Sequence, residues 1–566
     1  MENHAPPLAD DEQAPPVLDR AYKAELVADI PPLAWLWESS ADGGTLLHGP
    51  RVFLFGDGYF EGAWAGNFAE REYDTAVNVF GSGAKWRDGA VRFVTPSHTL
   101  EALYYVAEGQ SLVVSNSLIF LLTYTGLDLR HDDWSYGGRF AAIARGTSKS
   151  PLRIPLSTGQ LNVLYHHNLV LDASGAVDVE PKALPPRFGD FHDYAGYLEQ
   201  TVGAVFDNAQ HPARYVRYEP LTTLSSGYDS ATCATLAAKN GCKRAMGIVT
   251  SQRGLTDSGA NVAAALGLEF KAYERPNYEA MLDDNTLDEG QSEAEFLCVG
   301  LQGEDSVYGA FADTVGGSVL LTGFMGTNWE TGRRNKLPPN DGTIAKTDLS
   351  GGSLGEFRLQ RDFVHLVVPF IGAQRFQDVA RITASDEMRD YSVGGAYDKP
   401  IPRRIVESAG VKREDFGSEK RAVSIVYFDD KASLSKATRD DLEAFRRDHP
   451  LSAAAEKRYR ARVRRWQLGS RSFYLIKRLK NINRLRKYWW GRALQRAGLI
   501  AERLCIATFD YTAVFEHTHP RSTTWQVWAI RKMQPRYAAA LAHRGQADAG
   551  QSDATETQQA ARSRVA

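Results

Sequence analysis

The chain has 566 residues, of which 43% are hydrophobic, and its 66 Lys and Arg residues nearly balance its 69 Asp and Glu residues, for a formal net charge of −3. This length predicts two or three domains with sizeable cores. The near-neutral balance gives no overall sign of a nucleic-acid-binding protein.

The four cysteines lack the paired spacing of metal ligands, which argues against a disulfide framework or a zinc site and favours a reducing compartment. They are Cys233, Cys242, Cys298 and Cys505. Residues 1–20 are acidic and proline-bearing, without the basic start and apolar core of a signal peptide. No window has about twenty consecutive apolar residues, so we expect a cytoplasmic protein without a spanning helix. We predict disorder over 1–20 and over the polar stretch 546–566.

Residues 21–190 show the short apolar runs and Gly-rich turns of a mostly β domain. A hairpin is predicted where residues 102–106 and 111–115 flank the turn at Gly109. A second hairpin is predicted between 155–160 and 169–172.

A second domain is predicted over 191–440. It begins with an amphipathic helix, because apolar residues recur at helical spacing. These are Tyr194, Leu198, Val202, Val205 and Phe206.

The most informative stretch is 221–250, which predicts a strand, a polar loop over Ser225–Ser230, an Ala-rich helix ending at Asn240-Gly241, and a second strand. This is a βαβ unit of a parallel sheet. Small loop residues and a helix N-terminus together favour an anion site. The loop lacks the Gly-Lys-Ser/Thr of a Walker motif. The alternative is an ordinary Ser/Asp helix cap.

Further strands and helices alternate after this unit, with strands predicted at 268–273 and 318–323 and a helix at 262–266. This alternation is typical of an open parallel sheet, in which ligands lie beyond the carboxyl ends of the strands.

Ser225-Ser226-Gly227-Tyr228-Asp229-Ser230 resembles the pyrophosphate loop of the ATP pyrophosphatases, usually Ser-Gly-Gly-x-Asp-Ser, with Ser226 replacing the first glycine. Together with residues 302–422, it makes the second domain similar to the synthetase half of asparagine synthetase-like proteins. The resemblance implies an α/β parallel-sheet ATP-pyrophosphatase (HUP-like) fold. It also implies that ATP is bound by Ser225, Ser226, Gly227, Tyr228, Asp229 and Ser230, with adenine against the backbone of Ile248, Val249 and Thr250 and with Gly323 at the end of a neighbouring strand.

The same resemblance implies a magnesium ion held by Asp229. The family's second acidic ligand follows a strand in Ser-Gly-x-Gly-x-Asp-Glu, and register through Thr322-Gly323 puts Thr327 or Asn328 in its place. Neutral oxygens can still coordinate magnesium, and Glu330 or the pair Glu304-Asp305 are possible substitutes.

Basic residues of the second domain supply further candidates. The family's Gly-x-x-Lys lysine corresponds to Lys420, which would stabilise the phosphates and the developing charge; a surface lysine is the alternative. Arg403 and Arg404 are expected to be structural more often than substrate-binding.

The N-terminal domain resembles the glutaminase domain of the same family through Leu103-Tyr104-Tyr105, Gly109 and Leu112-Val113-Val114-Ser115. This implies an α+β Ntn-hydrolase-like sandwich over 21–190. That family uses an N-terminal cysteine as nucleophile, whereas this sequence begins Met1-Glu2 and has no Cys before Cys233. We therefore expect an inactive glutaminase domain.

Residues 441–545 form a basic, helical C-terminal extension in this interpretation. Residues 451–500 contain 15 Lys and Arg against one acidic residue, Glu456, with interleaved aromatics. We expect, in order of preference, helices docked on the second domain, contact with an anionic membrane surface, and RNA.

The sequence thus predicts an asparagine synthase-like, AMP-forming ligase that uses ATP and Mg²⁺ to join a small carboxylate to ammonia or an amine. Surface-polysaccharide or natural-product assembly is the context that the resemblance suggests, and a homodimer is left open. The alternatives are a nucleotide-binding scaffold that has lost catalysis and a PP-loop tRNA-modifying enzyme.

Overall fold

The computed structural model describes residues 22–40, 43–109, 111–130, 136–251, 254–275, 293–299, 305–330, 341–344, 349–394, 397–417, 435–458, 460–461, 490, 493, 496–497 and 525–543. Several predictions lie outside these ranges: the disorder of 1–20 and 546–566, the candidates Lys420 and Glu304, and nearly all of the part of the basic stretch 451–500 that follows residue 461. No described helix is long and apolar enough to cross a membrane.

Eighteen described strands form three sheets. They are β1 (Lys23–Leu26), β2 (Trp35–Glu38), β3 (Thr45–His48), β4 (Phe53–Phe55), β5 (Gly58–Trp64), β6 (Val79–Arg87), β7 (Ala90–Val94), β8 (Leu103–Glu108), β9 (Ser111–Ser115), β10 (Leu152–Pro155), β11 (Gln160–Leu164), β12 (His167–Leu171), β13 (Val177–Pro181), β14 (Glu219–Thr223), β15 (Arg244–Ile248), β16 (Glu269–Tyr273), β17 (Ser318–Thr322) and β18 (Phe363–Val367).

The main described α-helices are numbered in the same chain order. They are α1 (Leu118–Thr125), α2 (Tyr136–Phe140), α3 (Phe191–Ala209), α4 (Tyr228–Lys239), α5 (Ala260–Leu266), α6 (Ala294–Leu297), α7 (Gly355–Arg361), α8 (Phe376–Thr383), α9 (Pro400–Ser408), α10 (Lys436–Asp448) and α11 (525–543).

The N-terminal half is a sandwich of a seven-stranded sheet, in the order β1-β3-β2-β9-β8-β11-β10, and a six-stranded sheet, in the order β13-β12-β7-β6-β5-β4. Successive side chains of a strand point to opposite faces of its sheet, so each sheet contributes residues to two hydrophobic cores. In β2, Trp35 and Trp37 pack between the sheets, while Leu36 faces the opposite core with α1 and α11. In β5, Tyr59 lies between the sheets and Phe60 packs outward towards α3. The half is therefore layered, with helices on both outer faces.

The second half contains a five-stranded sheet in the order β16-β15-β14-β17-β18, and every pair in it is parallel. Its central strand, β14, is followed by a short loop and by α4, whose Cys233 and Leu236 cover one face of the sheet together with α3. The structure thus confirms a mixed α/β chain with a parallel sheet, and it confirms the strand–loop–helix–strand order over 219–248.

The amphipathic helix predicted before this sheet is α3, and all five residues at helical spacing are buried in it. The hairpin between 102–106 and 111–115 is the antiparallel pair β8–β9. Cys233, Cys242 and Cys298 are buried free thiols, as expected for structural cysteines.

The predicted second hairpin is wrong. Gly159, at φ +71°, lies in the turn between β10 and β11, so 155–160 is largely a turn. Residues 169–171 belong to β12, which pairs with β13 and β7 instead. The chain turns between β11 and β12 at His166, a non-glycine residue with φ +62°, and such a residue gives no turn signal in the sequence.

Candidate functional site

The loop Ser225–Ser230 lies at the carboxyl end of the central strand β14, which ends at Thr223. Gly227 is the N-cap of α4, with an extended backbone and no side chain to cap the helix. Asp229 lies in the first turn, where the helix dipole favours a negative charge. The ends of β15 and β17 flank this point on either side. The predicted anion loop therefore lies at the carboxyl ends of the parallel strands, as the sequence indicates.

Side chains accept hydrogen bonds from the first four amides of this loop. Ser225 N donates to Ser230 Oγ at 3.0 Å, and Gly227 N donates to Ser225 Oγ at 3.1 Å. Ser226 N donates to Asp257 Oδ1 at 3.2 Å, and Tyr228 N donates to the Tyr397 hydroxyl at 3.4 Å. The loop is thus held in one conformation by side-chain oxygens that accept from its amides.

Asp257 joins this loop to the end of the next strand. Its fully buried carboxylate also accepts from Ser226 Oγ at 2.6 Å, and its own amide donates to the Val249 carbonyl at 2.7 Å. Val249 N donates to the Tyr273 carbonyl, so both backbone groups of Val249 are already hydrogen-bonded. Of the residues predicted to face adenine, Ile248 is buried in β15, and Thr250 Oγ1 donates to Glu274 at 3.4 Å.

The strongest charge contact of the site joins Asp229 to Lys399. The Lys399 ammonium lies 2.7 Å from each carboxylate oxygen of Asp229. The lysine side chain is only 2% exposed, whereas that of Asp229 is 27% exposed. Sequence reasoning did not assign Lys399 a role, because the two residues are 170 positions apart and no local pattern links them.

The backbone around Lys399 explains its position. The Asp398 carboxylate accepts hydrogen bonds from Ser392, Val393 and Gly394. These bonds fix the backbone directly before Lys399. Lys399 is the N-cap of α9, and Pro400 follows at the first helical position. Proline disfavours the helical conformation for the preceding residue, and Lys399, at φ −136° and ψ 81°, lies outside the helix. Its side chain reaches Asp229 of α4.

Arg403 and Arg404 are held within the protein. Buried Arg403 donates to the Tyr228 hydroxyl and to Glu407, and its guanidinium lies over the Tyr228 ring. Arg404 pairs with Glu387 at 3.0 Å and stacks on Phe191. This agrees with a structural role for both.

The segment after β17 packs directly on Asp229. A Cβ atom at Gly326 would lie 2.0 Å from Asp229 Cγ, and one at Gly323 would lie 2.7 Å from Asp229 Cβ. Asn328 is buried and donates to the Pro369 carbonyl at 3.0 Å, while the Thr327 hydroxyl contacts Met325 Sδ at 3.8 Å. Both glycines thus serve close backbone approach, which only glycine permits here.

The described residues do not fit the expected magnesium ion. Both oxygens of Asp229 are held by Lys399. Thr327 and Asn328 supply no carboxylate, and Asn328 is anchored through its amide nitrogen to the Pro369 carbonyl. Within the described ranges, no group of three or more His, Cys, Asp or Glu side chains could hold a metal ion. Magnesium binding in proteins ordinarily uses free carboxylates.

A buried network connects the N-terminal sandwich to the end of β17. Arg358 makes a bidentate pair with Glu61 at 2.7 and 2.8 Å, and its Nε lies 2.8 Å from Glu101. Glu101 lies 3.4 Å from His365 Nδ1, and His365 Nε2 is 2.8 Å from the Thr322 hydroxyl. Burial raises the pKa of Glu101, but the attraction of Arg358, with a further contribution from His365, outweighs it and holds that pKa at about 2.

A scan against protein-family models gives no match for the chain, and no curated protein matches it in sequence. Function is therefore inferred from the residues and their geometry.

Proposed function

We propose that the chain is an ATP-dependent, AMP-forming amide ligase of the asparagine synthase-like type. The observation that supports it best is the polar loop Ser225–Ser230 at the carboxyl end of β14, with the Lys399 ammonium fixed beside it. A loop of preformed amides next to a fixed cation is suited to a pyrophosphate leaving group. The HUP-like fold of the second half and the Ntn-hydrolase-like fold of the first belong to this proposal.

In the proposed reaction, a substrate carboxylate attacks the α-phosphorus of ATP, forming an acyl-adenylate and releasing pyrophosphate. An amine or ammonia then attacks the acyl carbon, forms the amide and releases AMP. In the structure the Ser225 and Gly227 amides donate to the Ser230 and Ser225 hydroxyls. In the proposed complex, oxygens of the β- and γ-phosphates replace these hydroxyls as the acceptors. Lys399 neutralises Asp229, so this carboxylate does not repel the departing pyrophosphate. Catalysis is then mainly positioning and charge stabilisation.

The acceptor in this proposal is a sugar acid or amino acid, and the nitrogen donor is free ammonia or an amine. We place the protein in the cytoplasm, and we leave open both a homodimer and peripheral membrane contact through 451–500.

One observation favours a second function, a nucleotide-binding scaffold without turnover. The amides of residues 225–228 are satisfied by the protein itself, and the Asp257 carboxylate occupies one of those positions. Because a carboxylate repels phosphate, this arrangement would lower affinity and slow catalysis.

ATP–pyrophosphate exchange, scanned over candidate carboxylic acids, separates the two functions. The ligase predicts exchange that depends on one class of carboxylate and falls at least tenfold in Lys399→Met. Lys239→Met is the matched control. Lys239 lies at the end of α4 that is opposite to the loop, and it pairs there with Glu199 of α3. ATP binding without exchange would favour the scaffold, and exchange unaffected by Lys399→Met would reject the site.

A further inference from the structure

We infer that Lys399 takes the place of a divalent cation beside the phosphate loop, so that this site binds ATP without magnesium. The inference depends on the proposed nucleotide site and specifies which cation that site uses.

The only acidic side chain in the loop 225–230 is already paired with a cation. Asp229 presents both oxygens to one ammonium, each at 2.7 Å. An ammonium is a compact point charge, and here it is almost fully removed from solvent. A metal at the same oxygens would therefore lie beside a buried ammonium, whose charge would repel it.

The pair is also held from several directions. Pro400 and the Asp398-capped loop fix the backbone of Lys399. The Tyr397 ring lies 5.7 Å from its ammonium. On the other side, the backbone of Gly326 is packed against the Asp229 carboxylate, with no room for a methyl group. The cation is therefore built into the fold.

A bare carboxylate next to a triphosphate is repulsive, and a metal that bridges the two removes the repulsion. In this chain Lys399 has already neutralised Asp229, so that carboxylate needs no bridging ion when phosphates approach. The second carboxylate at the loop, Asp257, is hydrogen-bonded to Ser226 N and Oγ. Removal of the lysine should restore the need for a bridging ion, because it would expose the carboxylate of Asp229.

The test is ATP binding to the full chain, measured by isothermal titration calorimetry at constant ionic strength, in EDTA and in excess Mg²⁺. For the wild type we expect dissociation constants within about threefold of each other in the two conditions. For Lys399→Met we expect binding at least tenfold weaker in EDTA and largely recovered in Mg²⁺. Lys399→Arg should retain binding in EDTA, and the control Lys239→Met should match the wild type.

The outcomes are distinguishable. If the wild type binds ATP only in Mg²⁺, the inference is overturned while the nucleotide site stands. If the wild type binds no ATP in either condition, the proposed function fails and the inference fails with it. Should Lys399→Met not fold by circular dichroism, the wild-type comparison and Lys399→Arg still decide the matter.

Discussion

Removal of the two partners of the Asp229–Lys399 pair, one at a time, should destabilise the protein unequally. Asp229→Ala leaves an ammonium that is 2% exposed without its counter-charge. Loss of one partner of a buried pair costs about 3–5 kcal/mol. Lys399→Met instead leaves a carboxylate that is 27% exposed at a helix N-terminus. Water and the helix dipole still stabilise that carboxylate, so we expect a cost of about 1–2 kcal/mol.

Urea denaturation of the full chain, followed by tryptophan fluorescence, measures both costs. The double variant should cost less than the sum of the single variants, because it leaves no unpaired charge. The order is the decisive result: a Lys399→Met variant that is less stable than Asp229→Ala would refute the reasoning. It also follows that Asp229→Asn, which keeps an acceptor for Lys399, is a better probe of function than Asp229→Ala.

Three other substitutions test separate parts of the structure. Gly326→Ala should lower the free energy of unfolding in urea by about 1–3 kcal/mol, because its Cβ would overlap Asp229. The control Gly196→Ala in α3, with open space around its Cβ, should be neutral or stabilising. Equal effects of the two substitutions would contradict the packing at Gly326. Arg358→Met should lower the free energy of unfolding by about 3–5 kcal/mol, because it leaves Glu61 and Glu101 buried without a counter-charge. Arg389→Met removes an exposed pair with Asp386 and should change stability little. A small loss for Arg358→Met would show that the network does not hold the two halves together. Burial raises the pKa of Glu295 to about 8. In the unfolded chain this carboxyl loses its proton at a lower pH than in the folded protein, so stability falls as pH rises from about 4.5 to 8. Glu295→Gln should remove that part of the decline, and parallel pH–stability curves for wild type and variant would reject this prediction.

Local sequence signals predicted the elements that depend on nearby residues. The Ala-rich stretch of α4, its stop at Asn240 and the polar loop before it all lie within the βαβ unit. Likewise, α3 is marked by five apolar residues at helical spacing, all of them buried. Such elements are specified by residues close in sequence, which a single chain displays directly.

The partners that define the candidate site come from distant parts of the chain. Asp257 is 31 residues from Ser226, and Lys399 is 170 residues from Asp229. Neither contact has a spacing rule, because tertiary packing of α9 on α4 and the turn after β15 bring the groups together. The sequence therefore located the loop, but it could not show which cation faces it.

The buried network was equally invisible to sequence reasoning. Glu61, Glu101 and Arg358 are charged residues, which ordinarily indicate a solvated surface. In the structure all three are buried where the two halves meet. His365 lies between Glu101 and the Thr322 hydroxyl at the end of β17 and contacts both. Only the packing of one half on the other makes this contact possible.

Hydrogen–deuterium exchange of the full chain, with and without ATP, tests the central claim most directly. If triphosphate binds at the carboxyl end of β14, ATP should slow amide exchange in peptides covering 225–230 and 397–403, while distant segments such as β12 remain unchanged. Slowed exchange elsewhere, with none in these two segments, would contradict the account.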